Sequence, residues 1–157
     1  MDTHRLVLTA EHAMQRNVFV LAPDRPVLDA VRELLARGYS GAPVVVDRRL
    51  CGIFSERDGL TAIAAAHYEG EPPGTVAQHM RRDFAVVSGQ SDLFEVASVF
   101  RDHPIRRLPV VDAAGRLLGI LSRGDVLKAL MAQFPHRQKS QYERLQEHMG
   151  LRHGAMF

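Results

Sequence analysis

Residues 52–58 read GIFSERD, and residues 119–125 read GILSRGD. Each stretch has a glycine, two apolar residues, a serine and, three positions after the serine, an aspartate. Matched segments precede both, because residues 42–47 read APVVVD and residues 108–112 read LPVVD. The likeness therefore covers a whole strand, turn, strand and helix start, which indicates a folding unit present twice.

The same order of elements surrounds each copy. In the first copy, hydrophobic spacing and turn residues predict strand, helix, strand, strand and helix, in that order, at residues 18–21, 24–38, 42–47, 50–54 and 55–68. In the second copy the corresponding elements are predicted at residues 84–87, 91–102, 108–112, 117–121 and 122–134. Two prolines and two glycines between Glu69 and Gly74 break the helix there, so we expect the connection between the copies at this point.

Three segments follow from this pattern. Unit 1 is expected over residues 9–70, unit 2 over residues 71–134, and a C-terminal tail over residues 135–157. Tyr142, Leu145 and Met149 form a thin apolar stripe, so the tail is expected to be a helix that docks on the body or contacts another subunit, with a disordered end as the alternative. A unit of about 60 residues buries too little surface to be stable alone, so we expect the two units to pack together.

Composition excludes several classes of protein. The 157 residues are 46% hydrophobic and 24% charged, the formal net charge is only +2, and no apolar run is long enough to cross a bilayer. The first residues lack the features of a secretion signal, so a cytoplasmic location with no membrane association is expected. Cys51 is a lone thiol at a predicted strand, and the eight histidines are dispersed, so we expect neither a disulfide nor a metal site.

The two Ser-x-x-Asp runs, Ser55 with Asp58 and Ser122 with Asp125, have two interpretations. In the first they are capping boxes, in which the serine and the acid satisfy the helix start and no ligand is needed. In the second they bind a ligand, because a helix N-terminus attracts phosphate and an aspartate can accept hydrogen bonds from the two hydroxyls of a ribose. Phosphate and ribose together would indicate a nucleotide.

From residues 9 to 131 the chain resembles the cystathionine-β-synthase-type (CBS) domains, which occur as tandem pairs called Bateman modules. The likeness is carried by PVVVD and LPVVD, followed by GIFSxxD and GILSxxD. The resemblance implies an α/β (α+β) fold of two pseudo-symmetric units. Each would be a small three-stranded sheet with two helices, and the units would pack sheet to sheet, followed here by the helical tail.

The resemblance also implies two clefts for an adenosyl ligand, namely AMP, ADP, ATP or S-adenosylmethionine. By position, Asp58 and Asp125 correspond to ribose acceptors, with Ser55 and Ser122 beside the sugar or phosphates. Other positions of this chain correspond to adenine-contacting segments and to phosphate-binding arginines: Tyr39, Gly41, Ala42 and Ile105 for the adenine, and Arg107 and Arg123 for the phosphate. Because Arg106 and Arg107 stand where the first copy has Ser40 and Gly41, the clefts are expected to differ in charge.

These observations favour a non-catalytic regulatory module that binds the nucleotide between its units. Ser55 and Ser122 have no base nearby in the sequence and no nucleophile elbow, so we expect no catalytic residue and no obligate cofactor. A homodimer and an unidentified regulated protein are the expected partners, with the dimer contact at Leu60, Ile63, Leu127 and Leu130. The alternative is a ligand-free dimerisation or interaction module. Nucleic-acid binding through arginine clusters such as Arg81 and Arg82 is a third reading, which the scarcity of aromatic residues beside them disfavours.

Overall fold

The structure is a computed structural model that describes residues 7–134, together with Arg144, Leu145 and His148. Apart from those three residues, the predicted tail over residues 135–157 lies outside the described residues. Among the described residues, no helix combines the length and apolar character needed to cross a membrane.

The first copy forms a short helical turn, a helix, a two-stranded hairpin and a second helix: α1 (Ala10–Ala13), α2 (Val27–Arg37), β1 (Gly41–Val46), β2 (Arg49–Ser55) and α3 (Glu56–Glu69). The second copy repeats this order with one additional strand: α4 (Val76–His79), β3 (Val87–Ser88), α5 (Leu93–Asp102), β4 (Arg107–Val111), β5 (Leu117–Ser122) and α6 (Arg123–Met131). Helix α2 ends as the sequence indicates, because Gly38 adopts the left-handed conformation (φ 69°) that glycine accepts without strain.

Two small sheets form the framework. Strands β1 and β2 pair antiparallel in one sheet, while β3, β4 and β5 pair in that order in the other. The mixed α/β fold predicted from the sequence is confirmed, but the first strand of the first copy shortens to a single parallel bridge between Leu21 and Val44. Pro23 gives the reason: it stands where the next ladder donor would be needed, and proline has no backbone N–H.

Each hydrophobic core takes its first helical turn from the other copy. Ala10 and Met14, at the start of the first copy, are buried with Leu108, Leu121 and Val126 of the second. Conversely, Val76 of α4 is buried among the residues of the first copy, including Leu34, Val44 and Phe54. We propose that the repeated units run over residues 9–70 and 71–134. Each hydrophobic core nevertheless contains residues from both units.

Backbone bridges hold these exchanged turns in place. Gln15 and Ile120 exchange two N–H···O bonds of 2.9 and 3.0 Å, and Arg81 and Ile53 exchange two of 2.9 and 2.8 Å. The approach is so close that a Cβ on Gly119 would lie 2.7 Å from both the carbonyl oxygen of Gln15 and Sδ of Met14. The close contact with the Gln15 backbone therefore requires a glycine at position 119, and Gly52 in the first motif likewise lies against Met80 and Arg81 of the other copy.

The two sheets also meet directly. The Leu117 N–H donates to the Arg48 carbonyl (2.8 Å), and the Leu50 N–H donates to the Gly115 carbonyl (3.1 Å), which joins the two hairpin turns. A cavity of about 180 Å³ lies between the sheets, and its lining includes Val20 and Val45 from one side and Leu117 and Leu118 from the other. The junction of the units thus contains an open groove.

Candidate functional site

Both Ser-x-x-Asp motifs form complete capping boxes. At α3, the Ser55 N–H and hydroxyl both donate to Oδ2 of Asp58 at 2.8 Å. At α6, the Ser122 N–H and hydroxyl donate to Oδ2 of Asp125 at 2.8 and 2.9 Å. In both helices the Asp N–H returns a hydrogen bond to the serine Oγ. One carboxylate oxygen of each aspartate is therefore committed to the helix start, and the capping interpretation is confirmed at both positions.

The two aspartates differ in their other oxygen. Oδ1 of Asp125 accepts a hydrogen bond of 3.1 Å from the side-chain amide of Gln15. Oδ1 of Asp58 accepts no hydrogen bond within residues 7–134. Either arrangement leaves acceptor capacity for a ligand, because each carboxylate oxygen carries two lone pairs.

Asp125 stays ionised in this environment. Partial burial by itself raises the pKa of Asp125, but hydrogen bonds from the Ser122 backbone, the Gln15 side chain and the Ser122 hydroxyl together outweigh it, helped by the charge of Lys128. The net pKa of Asp125 lies below the ordinary aspartate value. An ionised carboxylate accepts hydrogen bonds without donating any, which suits it to sugar hydroxyls.

A cleft of about 210 Å³ opens between the two copies beside this group, and Gln15 forms part of its wall. One side is apolar and comes from the first copy, with Val18, Phe19 and Pro43; the other side comes from the second copy, with Arg107 and Ile120. The Phe19 and Tyr39 rings lie 6.0 Å apart, and the guanidinium of Arg37 lies 4.3 Å from the centre of the Phe19 ring. The cleft thus joins an apolar wall to a cation, Arg107.

The structure brings part of the predicted site together. Tyr39, Gly41 and Arg107 line the cleft. Ser122 pairs with Arg107 across the β4–β5 ladder, and Asp125 is joined to the cleft wall through Gln15. The adenine segment predicted in the first copy therefore shares a cleft with the arginine predicted in the second, whereas Ser122, Arg123 and Asp125 do not line the cleft themselves.

Other predicted residues lie elsewhere. Ala42 is buried in the first core and does not line this cleft, nor does Ile105, whose carbonyl accepts a hydrogen bond from Arg123 at 3.3 Å. Asp58 and Ser55 are also absent from the lining, although Ser55 pairs with Gly41 across the β1–β2 ladder. These residues remain predictions for a second cleft.

The sequence analysis did not identify most of the residues that line the cleft. The additional lining residues are Gln15, Asn17, Val18, Phe19, Pro43 and Ile120. Residues 15–19 follow the first helical turn, at the position that residues 81–85 occupy in the second copy, so the repeat itself could have marked them as structurally equivalent. Their place in a site required the cross-copy contact with β5.

Among the described residues, no three His, Cys, Asp or Glu side chains come close enough to hold a metal ion.

The family model described as "CBS domain" matches the chain twice, over residues 10–65 and 76–132. The chain belongs to the CBS domain family. The two matches coincide with the two copies described above, so the resemblance predicted from the GIxSxxD motifs is confirmed.

Solved structures of CBS proteins share the fold. The crystal structure of CBSX2 in complex with AMP is 32% identical, with a TM-score of 0.69 over 79% of this chain and 96% of that one; CBSX2 is a CBS-pair protein from Arabidopsis thaliana. The cytosolic domain of the Mg²⁺ channel MgtE in complex with ATP is 30% identical, with a TM-score of 0.65 over 77% of this chain and 48% of that one.

Curated relatives include much longer enzymes. Inosine-5′-monophosphate dehydrogenase from Streptococcus pyogenes is 28% identical over 145 residues, which cover 90% of this chain and 28% of the dehydrogenase. The chain therefore spans about a quarter of the length of that relative.

Proposed function

We propose that this CBS pair is a non-catalytic regulatory module that binds an adenosyl ligand in the cleft between its two copies. The observation that carries the proposal is the composition of that cleft, in which Phe19, Tyr39 and Pro43 lie with Arg107 and with Gln15, whose side chain is hydrogen-bonded to Asp125. Such a combination of apolar wall, hydroxyl acceptors and cation matches the base, sugar and phosphate of a nucleotide.

The ligand parts are assigned by chemistry. The adenine would lie against the apolar wall, its ribose hydroxyls would donate to Asp125, and its phosphate would lie between Arg107 and the N-terminus of α6, which begins directly after Ser122. At about 210 Å³ the cleft is smaller than the ~300 Å³ at the lower end of ordinary ligand pockets. We therefore expect the phosphates to extend out of it towards solvent, where Arg107 is exposed.

Two solved relatives support the ligand class, since one is a complex with AMP and another a complex with ATP. AMP, ADP, ATP and S-adenosylmethionine all remain candidates for this chain. Ser55 and Asp58, at the equivalent helix start, are proposed to form a second cleft, with Ile105 beside the adenine. Arg123 is proposed as a further phosphate contact; its guanidinium donates to the Ile105 carbonyl, two residues before β4.

Transmission of binding is proposed to run through a homodimer or a regulated protein. Leu60 on α3 is 72% exposed and Leu127 on α6 is 58% exposed, at equivalent positions of the two copies. Exposed leucines at matching positions are suited to a self-complementary dimer contact, with Ile63 and Leu130 one helical turn further on. We expect such a protein to act in the cytoplasm.

The test is a thermal-shift and calorimetric titration of ligand-free protein with AMP, ADP, ATP and S-adenosylmethionine. A ligand at one hundred times its Kd stabilises the folded state by about 2.7 kcal/mol, which corresponds to a rise in Tm of roughly 5–10 °C for a chain of this size. No shift with any of the four at millimolar concentration would refute the proposal.

The alternative is a ligand-free interaction module, and one observation favours it: both oxygens of Asp125 already have partners without any ligand. Asp125→Ala separates the two functions. Under the binding proposal, this variant loses the response to nucleotide while keeping its fold. Under the alternative, it only loses a helix cap, which costs about 1 kcal/mol.

A further inference from the structure

Gln15 is held in a fixed position beside the proposed ribose acceptor. Its backbone is fastened to β5 by the two hydrogen bonds with Ile120, and its side-chain amide reaches Oδ1 of Asp125 at 3.1 Å. Because an ionised carboxylate only accepts, the amide nitrogen of Gln15 must face Asp125. The carbonyl Oε1 of Gln15 then points away, and it accepts no hydrogen bond from any residue in the range 7–134.

Asp125 has too few free acceptor sites for both hydroxyls of a ribose. Oδ2 of Asp125 takes two hydrogen bonds from Ser122, and Oδ1 takes one from Gln15, so one lone pair of the carboxylate is left. A ribose presents two neighbouring hydroxyls, and each needs an acceptor. Asp125 alone can accept only one of them while the Gln15 contact persists, and Oε1 of Gln15, in the same amide group that donates to Asp125, has acceptor capacity for the other.

The equivalent position in the second copy is different. Arg81 makes the same pair of backbone bonds, here with Ile53, but a guanidinium offers donors and no acceptor. Within residues 7–134, Arg81 forms no ion pair with Asp58, and Oδ1 of Asp58 keeps both lone pairs. Asp58 could accept two hydroxyls unaided, whereas Asp125 requires a helper.

We infer that Gln15 determines the specificity of the cleft for an intact ribose: Oδ1 of Asp125 accepts one hydroxyl of the ligand's 2′,3′-diol and Oε1 of Gln15 accepts the other. This inference rests on the proposed function, since it concerns the same cleft. The amide of Gln15 thereby serves both groups, donating to the carboxylate and accepting from the sugar.

The experiment is isothermal titration of the full chain with the tightest-binding adenine nucleotide and with its 2′-deoxy and 3′-deoxy analogues. The wild type should bind at least one deoxy analogue roughly tenfold more weakly, because one of the two hydrogen bonds from the sugar to Asp125 and Gln15 is lost. Gln15→Leu should weaken binding of the parent nucleotide by a similar factor and reduce the preference over the deoxy analogue to about twofold or less. Gln15→Asn, which keeps an amide but is one methylene shorter, provides a second test if the leucine variant folds poorly.

Gln133→Leu, at an exposed glutamine just after α6, is the control and should leave both affinities unchanged. If Gln15→Leu and Gln15→Asn keep the wild-type preference for the intact sugar, or if the wild type has no such preference, the inference is overturned while the proposed function stands. If the wild type binds no adenosyl ligand, both are overturned.

Discussion

Met14 provides a direct test of the exchanged helical turns. Its side chain is 7% exposed and belongs to the core of the second copy, although Met14 precedes every strand of the first. Replacing it by alanine removes three heavy atoms from that core. At about 0.8 kcal/mol for each methylene-sized group, plus a contribution for the cavity, Met14→Ala should lower the free energy of unfolding by about 2.5 kcal/mol. That corresponds to a decrease in Tm of roughly 5–10 °C.

The location of the effect can be measured with a double-mutant cycle in urea unfolding. Val126 lies in the same core as Met14, whereas Val27 lies in the core of the first copy, and both valines are almost completely buried. Met14→Ala should therefore couple to Val126→Ala by at least about 0.5 kcal/mol and should be additive with Val27→Ala. Val126→Ala and Val27→Ala remove the same number of atoms from buried positions, so each variant is a matched control for the other.

Two results would refute this reasoning. A loss of stability below about 1 kcal/mol for Met14→Ala would mean that the side chain is not part of a packed core. Coupling to Val27 without coupling to Val126 would mean that the first helical turn packs on its own copy.

Two further predictions concern the cleft. Arg107→Ala should weaken binding of ATP by about 10- to 100-fold in calorimetry, because a charge-assisted hydrogen bond to phosphate is lost, while Arg101→Ala, outside the cleft, should have little effect. Asp125 contributes to the pH dependence of stability: because its pKa is lower in the folded than in the unfolded chain, its contribution is complete above about pH 4 and is lost as the pH falls through the folded-state pKa. Urea unfolding of the wild type and Asp125→Asn should therefore differ at pH 7 and converge as the pH is lowered below 4.

Each of these two predictions has an outcome that would contradict it. For Arg107→Ala, an unchanged affinity for ATP in a folded variant would remove Arg107 from the phosphate site. For Asp125, a difference from Asp125→Asn that is as large at pH 2.5 as at pH 7 would show that the ionised carboxylate does not stabilise the fold through these hydrogen bonds.

Local sequence determined the elements and the family. The alternation of apolar residues, the capping serines Ser55 and Ser122 and the stop at Gly38 act over a few neighbouring residues, so they could be read directly from the chain. Because the whole pattern occurs twice, it also identified two copies and the CBS family. The sequence analysis did not predict that the strand at Leu21 is reduced to one bridge. Pro23 lacks the N–H that the next bridge needs, but this matters only once the partner strand is known.

Only the tertiary structure decided which copy supplies which part of the site. The sequence marks Tyr39 and Arg107 as candidates but does not show that they line one cleft, because that depends on how the units pack. Gln15 shows the same limit, since an exposed glutamine after a helical turn has no distinctive local pattern. Its position beside Asp125 arises from the bridge to Ile120, a long-range backbone contact that Gly119 allows because a side chain at that position would collide with the Gln15 carbonyl.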